Sequence, residues 1–162
     1  MKKVLIILLL IFATSLLFGQ VQNSILIKSS SKIPLDYRPQ KEIRNASITF
    51  LKYKPEEYGI QLQFAVDLMD YILVKKVTNF NPLQLNFSNN KDLTLTNIRL
   101  DTSFTSSEQL IRQITYIADV SQFTLLKDEM LTKIVLGNDL TPVIINIKRK
   151  SQNLLNVAAR LF

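Results

Sequence analysis

The chain of 162 residues contains no cysteine, no histidine and no tryptophan, and only three glycines. Without histidine and cysteine, a Ser-His-Asp triad, a Cys-His pair and a histidine-based zinc site are all excluded. Phosphate-binding loops need clustered glycines, whereas Gly19, Gly59 and Gly137 lie far apart. Only carboxylate, lysine, tyrosine or Ser-Lys chemistry remains possible. Because the other catalytic and ligand-binding arrangements are excluded, we expect no cofactor, no metal and no catalytic residue.

The most informative segment that is present is the N-terminus. Met1-Lys2-Lys3 precedes an apolar run from Val4 to Phe12, and Ala13-Thr14-Ser15 separates this run from a second one that ends at Gly19. This order is typical of a secretory signal peptide over residues 1–19, cleaved after Gly19 or after Ser15. An uncleaved N-terminal membrane anchor is the alternative, although a spanning helix needs about 20 mainly apolar residues.

The remaining 143 residues suffice for one domain with its own core. Loss of Lys2 and Lys3 lowers the formal net charge from +7 to +5, which suits either ordinary solubility or contact with an anionic partner. The Met-Lys-Lys start and the Leu17-Phe18-Gly19-Gln20 junction resemble those of exported proteins of the Bacteroidota. We therefore expect export to the periplasm or the cell surface.

Residues 20–44 predict an extended arm, or a first strand and a loop, and residues 45–162 predict a single domain. Alternation from Asn45 to Tyr53 indicates a strand. Pro55-Glu56-Glu57 suits the first turn of a helix, because proline fits the first position and acids favour the positive end. Apolar residues at helical spacing continue this predicted helix to Lys75 and Lys76: Ile60, Phe64, Leu68 and Ile72.

The second half of the chain predicts hairpins around a further helix. Leu83 to Phe87 and Leu93 to Thr96 alternate on either side of turn formers, which indicates a hairpin. Thr105-Ser106-Ser107-Glu108 matches a capping box and predicts a second helix from Glu108 to Gln122. A second hairpin is predicted from Phe123 to Leu126 and Leu131 to Leu136. A last strand is predicted from Thr141 to Ile147, and a C-terminal helix from Ser151 to Phe162.

This order predicts an α+β fold, with a small mixed or antiparallel sheet, two packed amphipathic helices and a C-terminal helix. The strand from Leu93 to Leu100, the helix from Glu108 to Gln122 and the closing hairpin resemble the short N-terminal domain of secretins and TonB-dependent receptors. The resemblance implies a periplasmic interaction module that docks a membrane or a partner protein without catalysis. The chain departs from that family in its longer connection from Asp101 to Ser107 and in its lack of a glycine at Val120-Ser121-Gln122.

The favoured function is an exported binding or interaction module without catalytic activity. Its expected partner is an envelope protein or an anionic membrane or cell-wall component, and not a nucleic acid. One alternative is a peripheral membrane or lipid-binding protein that uses the basic C-terminal helix; another is a carboxylate-dependent hydrolase. Contact with an anionic surface is assigned to four cations near the C-terminus: Lys148, Arg149, Lys150 and Arg160.

Overall fold

The computed structural model describes residues 24–36, 43–67, 82–105, 108–137 and 142–162. In chain order the elements are β1 (Ile25–Ser29), β2 (Ile33–Pro34), β3 (Arg44–Lys54), β4 (Glu57–Asp67), β5 (Leu83–Phe87), β6 (Asp92–Leu95), β7 (Ile98–Thr105), β8 (Gln109–Ala118), α1 (Val120–Asp128), β9 (Leu131–Leu136), β10 (Val143–Asn146) and α2 (Arg149–Arg160). Strands account for 60% and helices for 19% of the described residues. The predicted α+β fold is therefore wrong, because the fold is dominated by strands.

The larger sheet is a curled antiparallel sheet in the order β1-β3-β4-β8-β7. The short strand β2 follows β1 along the same edge of β3, where Ile33 pairs with Ile48. Within the described ranges, β1 and β7 are the two ends of this order. Among the described strands, the larger sheet therefore has two edge strands, β1 and β7. Strand β2 lies beside β3 on the same edge as β1.

Strand β4 occupies a segment for which the sequence predicts a helix. Ile60 and Phe64 lie four residues apart, which suits a helix, but they also belong to a period of two. Pairing with β3 on one side and β8 on the other satisfies the β4 backbone and selects the strand. Every second residue of β4 then faces the core: Tyr58, Ile60, Leu62, Phe64 and Val66.

The residues assigned to the first turn of that helix form the turn of a hairpin instead. Pro55 and Glu56 connect β3 to β4, and the Lys54–Pro55 peptide bond is cis. Proline and an acid are as compatible with a turn as with a helix start. The remainder of the predicted helix, up to Lys76, lies outside the described residues.

The second predicted helix, from Glu108 to Gln122, is wrong for the same reason. Residues 109–118 form β8, and Thr105, the predicted helix cap, is the last residue of β7. Leu110, Ile114 and Ala118 suggest a helical stripe, but Tyr116 between them faces the same core. The resemblance to the secretin and TonB-receptor domain relied on a helix in this segment, where the structure has a strand.

The smaller sheet has the order β10-β9-β5-β6 and is also antiparallel. The predicted hairpin of β5 and β6 is confirmed, and Asn90 supplies the positive φ, 65°, that its turn requires. The predicted strands over β9 and β10 are also confirmed. The strand predicted from Phe123 to Leu126 is wrong, because these residues belong to α1 and β9 pairs with β5 and β10.

Asp119 is the N-cap of helix α1, and its carboxylate accepts a hydrogen bond from the backbone N–H of Gln122 at 2.8 Å. The side-chain oxygen of Gln122 accepts a hydrogen bond from the backbone N–H of Asp119, which completes a capping box. Phe123 then enters the core, stacked on Tyr58 with ring centroids 4.3 Å apart and edge-on to Phe50 at 5.5 Å. Burial of such a ring contributes about 2–3 kcal/mol.

The predicted C-terminal helix is confirmed as α2, which contacts α1, β2, β3 and β9. Leu155 and Ala159 of α2 are buried in the same core cluster as both sheets. The helix therefore closes one common core, to which strands of the larger and the smaller sheet contribute.

Candidate functional site

The four cations predicted to contact an anionic surface lie at the two ends of α2. Lys148 is the N-cap, Arg149 and Lys150 begin the helix, and Arg160 ends it. Arg149 and Arg160 are eleven residues apart, which is about three turns and about 16 Å of rise, so they lie on the same side. The structure therefore spreads these cations along the helix and does not gather them into one cluster.

The cations differ in their partners. Lys148 Nζ forms an ion pair with Asp36 Oδ1 at 2.8 Å, which balances its charge. Arg160 Nε donates to a carbonyl in the last turn of α1 at 2.9 Å, so its charge stays unbalanced. Across the described ranges, no hydrogen bond or ion pair involves the exposed side chains of Arg149 and Lys150. Arg149, Lys150 and Arg160 are thus the cations available to a partner.

Polar contacts under α2 fix which side of the helix faces outward. The Asn156 amide donates to the carbonyl oxygens of Leu126 at 3.2 Å and Lys127 at 3.0 Å. The Ser151 hydroxyl accepts from the backbone N–H of Asp36 at 2.7 Å. Rotation of α2 would leave these groups unpaired in the interior, at a cost of about 1–3 kcal/mol each.

The outward side of α2 is apolar as well as basic. Leu154, Val157 and Leu161 follow one another at intervals of three and four residues, so they form one stripe. They are 48%, 60% and 67% exposed, while Leu155 in the next position is 1% exposed. The helix thus has an apolar side in the core and a second apolar stripe in contact with solvent.

Strand β1 extends this apolar surface. All five of its side chains are exposed, including the consecutive Ile25, Leu26 and Ile27, which are 51–65% exposed. Among the described residues β1 pairs with β3 alone. Lys28 joins β1 to α2, because its ammonium group donates to the carbonyl of Leu161 and lies 4.9 Å from the centroid of the Phe162 ring.

We refer to these groups together as the β1–α2 surface; Lys28 joins its two elements through Leu161 and Phe162, and Ile25 and Leu26 point to opposite faces of β1. The surface consists of six exposed apolar side chains and four cations: Ile25, Leu26, Ile27, Leu154, Val157, Leu161, Lys28, Arg149, Lys150 and Arg160. Neither β1 nor α2 contains an aspartate or a glutamate. The surface is therefore apolar and positively charged.

A cleft of about 320 Å³ is a second candidate site. It lies where the β3–β4 turn, the β6–β7 connection and the start of α1 meet. Its polar lining consists of carboxylates, hydroxyls and amides: Glu56, Glu57, Asp119, Thr94, Thr96, Asn97 and Gln122. This lining can accept and donate hydrogen bonds, and three of its groups are acids.

Two of the three carboxylates of the cleft already have structural roles. Asp119 caps α1, and its bonds from the Gln122 backbone N–H and the Ser121 hydroxyl hold the pKa of this carboxyl below its usual value. Glu57 Oε2 lies 3.3 Å from Arg99 Nη1 in an ion pair. An ionised capping carboxylate cannot donate a proton at neutral pH, so Asp119 is unsuited to act as a general acid. Within the described ranges, no three His, Cys, Asp or Glu side chains are grouped as a metal would need.

A buried polar cluster lies on β7 and β8, away from the β1–α2 surface. Arg112 is 7% exposed and forms an ion pair with Asp101. Burial raises the pKa of Tyr116 well above its ordinary value; the Asp101 charge adds to this effect and Arg112 opposes it. Among the described residues, nothing accepts a hydrogen bond from the Arg112 Nε. The cluster does not line the cleft at the start of α1.

Comparison of the chain with protein-family models, with curated proteins and with solved structures finds no match. In the described part of the chain, helices are too short or too polar to cross a membrane.

Sequence analysis located the cations but missed the apolar part of the β1–α2 surface. A signal for it was present, because Ile25, Leu26 and Ile27 are consecutive, whereas a strand with one solvated face alternates. For α2 no such signal exists, since Leu154 and Leu155 are adjacent leucines and tertiary contacts alone decide which one is buried.

Proposed function

We propose that this protein is an exported binding module of the cell envelope that acts through the β1–α2 surface and not through catalysis. The observation that carries the proposal is the apolar stripe of Leu154, Val157 and Leu161, which are 48–67% exposed, with the exposed strand β1 joined to the end of this stripe by Lys28. Contiguous exposed apolar surface is rare on soluble monomers and marks sites of interaction. The N-terminal segment 1–19, which is typical of a signal peptide, supports the envelope as the compartment.

A carboxylate-dependent hydrolase has weaker support. Its site would be the cleft at the start of α1, where two carboxylates must act as acid and as base or nucleophile. Asp119 and Glu57 are already engaged in the helix cap and in the ion pair with Arg99. Use of either carboxylate in catalysis would therefore require the loss of a structural contact.

Thiol protection in isolated cell envelopes tests the proposal. Because the chain contains no cysteine, Val157→Cys introduces a single thiol in the middle of the β1–α2 surface. We expect this thiol to react more slowly with a bulky maleimide in envelopes than in the purified protein. Phe104→Cys is the matched control, since Phe104 is 52% exposed on β7, at the opposite edge of the larger sheet.

The control thiol should react at the same rate in both preparations. Equal rates for the Val157→Cys protein in envelopes and in solution would contradict the proposal, because the surface would then be uncovered where the protein works. Mass spectrometry of the N-terminus of the isolated protein tests export, since a signal peptide predicts loss of residues 1–19 or 1–15.

A further inference from the structure

We infer that the β1–α2 surface docks on the headgroup region of an anionic lipid bilayer. The inference rests on the proposed function, since it names the partner of the same surface. Two observations favour this partner: the charge of the surface and the position of its cations on the helix.

The first observation is charge complementarity. Lys28, Arg149, Lys150 and Arg160 contribute four positive charges to the surface, and β1 and α2 contribute no negative ones. Of the acids near α2, Asp36 pairs with Lys148 at 2.8 Å and Glu129 with Lys91 at 3.4 Å, whereas Asp128 at the end of α1 is exposed. Apolar side chains between cations, without acids, are the composition of helices that lie on anionic membranes.

The second observation is that two of these cations are misplaced for helix stability. Arg149 and Lys150 lie in the first turn of α2, which contains no acid, and Lys148 provides no side-chain cap. The positive end of a helix disfavours cations and favours acids. Their position is explained by a partner outside the molecule, because the helix itself gains nothing from them.

The geometry of α2 matches a helix that lies flat on a bilayer. Arg149 and Arg160 are about 16 Å apart on one side of the helix, and the Leu154–Val157–Leu161 stripe lies beside them. Side chains of this stripe can enter the boundary between headgroups and acyl chains, while long basic side chains reach the phosphates.

Fluorescence of a labelled single cysteine tests this inference in the chain as isolated from the envelope. The Val157→Cys protein carries an NBD group, which emits at shorter wavelength in an apolar environment. With vesicles of equimolar phosphatidylcholine and phosphatidylglycerol, we expect emission from position 157 to shift to shorter wavelength. Emission from the labelled Phe104→Cys protein should not shift, even if residues 1–19 anchor both proteins to the vesicle.

A double substitution tests separately whether vesicle binding requires the positive charges of the surface. Replacing Arg149→Gln and Lys150→Gln should weaken binding to the anionic vesicles about thirtyfold, since each cation near such a surface contributes severalfold. These two exposed substitutions relieve the unfavourable first turn of α2, so a loss of binding cannot be attributed to unfolding.

Three results would overturn the inference: no shift at position 157 with anionic vesicles, an equal shift at position 104, or an equal response to vesicles of phosphatidylcholine alone. If thiol 157 is protected in envelopes but the label does not respond to lipid, the partner is not the bilayer and the proposed function stands. If thiol 157 is unprotected in envelopes, the proposed function fails as well.

Discussion

Arg112 lies on the core side of β8, where a large apolar side chain would be expected from the pattern of its neighbours. Its guanidinium group pairs with Asp101 on β7, whose side chain is 35% exposed, and its Nε has no partner within the part of the chain that the structure describes. A buried ion pair contributes little net stability, but removal of one member leaves an uncompensated charge in the interior. The pair is therefore sensitive to single substitutions and tolerant of a double one.

We expect Asp101→Ala to lower the free energy of unfolding by about 3 kcal/mol, because Arg112 is then buried without a counterion. Combining it with Arg112→Met should recover most of the loss. Urea denaturation of the single and the double variant measures both effects. The control is Asp36→Asn, which breaks the exposed ion pair with Lys148 and should cost less than about 1 kcal/mol. Equal losses in the single and double variants would contradict this account of the pair.

Among the secondary-structure elements, α1 depends on its first turn. Asp119 caps the helix with its carboxylate, and that carboxyl has a lowered pKa in the folded protein. A lowered folded-state pKa stabilises the protein above the ordinary pKa of about 3.9, and this stabilisation is lost as pH falls through the folded-state value. The cap therefore contributes fully at neutral pH and not in strong acid.

We expect Asp119→Ala to lower the free energy of unfolding by about 1 kcal/mol at pH 7, the usual contribution of a cap. The difference from the parent protein should shrink as pH falls below about 4, because both proteins then lack the charged acceptor. Urea denaturation across this pH range provides the measurement. Asp119→Asn serves as the control, since its amide oxygen still accepts a bond: its loss at pH 7 should be smaller than that of Asp119→Ala, and it too should shrink as the parent carboxyl becomes protonated. A loss from Asp119→Ala that is constant with pH would be inconsistent with a role for the charge.

The elements that could be predicted from sequence are those in which alternation and turn formers agree, such as β3 and the β5–β6 hairpin. Strands β4 and β8 could not, because Ile60 and Phe64, or Leu110 and Ile114, satisfy a helical period and a strand period equally. Pairing with neighbouring strands decided between them, and this non-local term is invisible in a local pattern. The misassigned capping box has the same cause: Thr105 to Glu108 has the right letters, whereas the cap that forms is Asp119 to Gln122.

The candidate site was predictable to the same extent. Charge can be read from the sequence, so Arg149, Lys150 and Arg160 could be proposed from it as contact residues, and they stay a prediction. Exposure is a property of packing, so the apolar half of the surface emerges only once α2 is docked. The buried bonds of Asn156 and Ser151 determine that docking, and neither residue stands out in the sequence.

At the scale of the whole molecule, α2 holds the two sheets together. It contacts β2 and β3 of the larger sheet, β9 of the smaller sheet, and α1. Its buried and exposed sides are occupied by the adjacent Leu155 and Leu154. One side of the helix should therefore control stability and the other should control binding.

We expect Leu155→Ala to lower the free energy of unfolding by about 2–5 kcal/mol, because it removes a fully buried side chain and leaves a cavity. Leu154→Ala, the matched control one position earlier, should change stability by less than about 0.5 kcal/mol but weaken binding to anionic vesicles. Urea denaturation is followed by circular dichroism and by fluorescence labels on the Phe104→Cys and Lys133→Cys proteins. The first label reports on the larger sheet, because Phe104 lies on β7, and the second on the smaller sheet, because Lys133 lies on β9. Because α2 packs on both sheets, the three transitions should coincide and shift together in Leu155→Ala. Separate transitions, or equal losses of stability at positions 154 and 155, would show that α2 does not unite the sheets in one core.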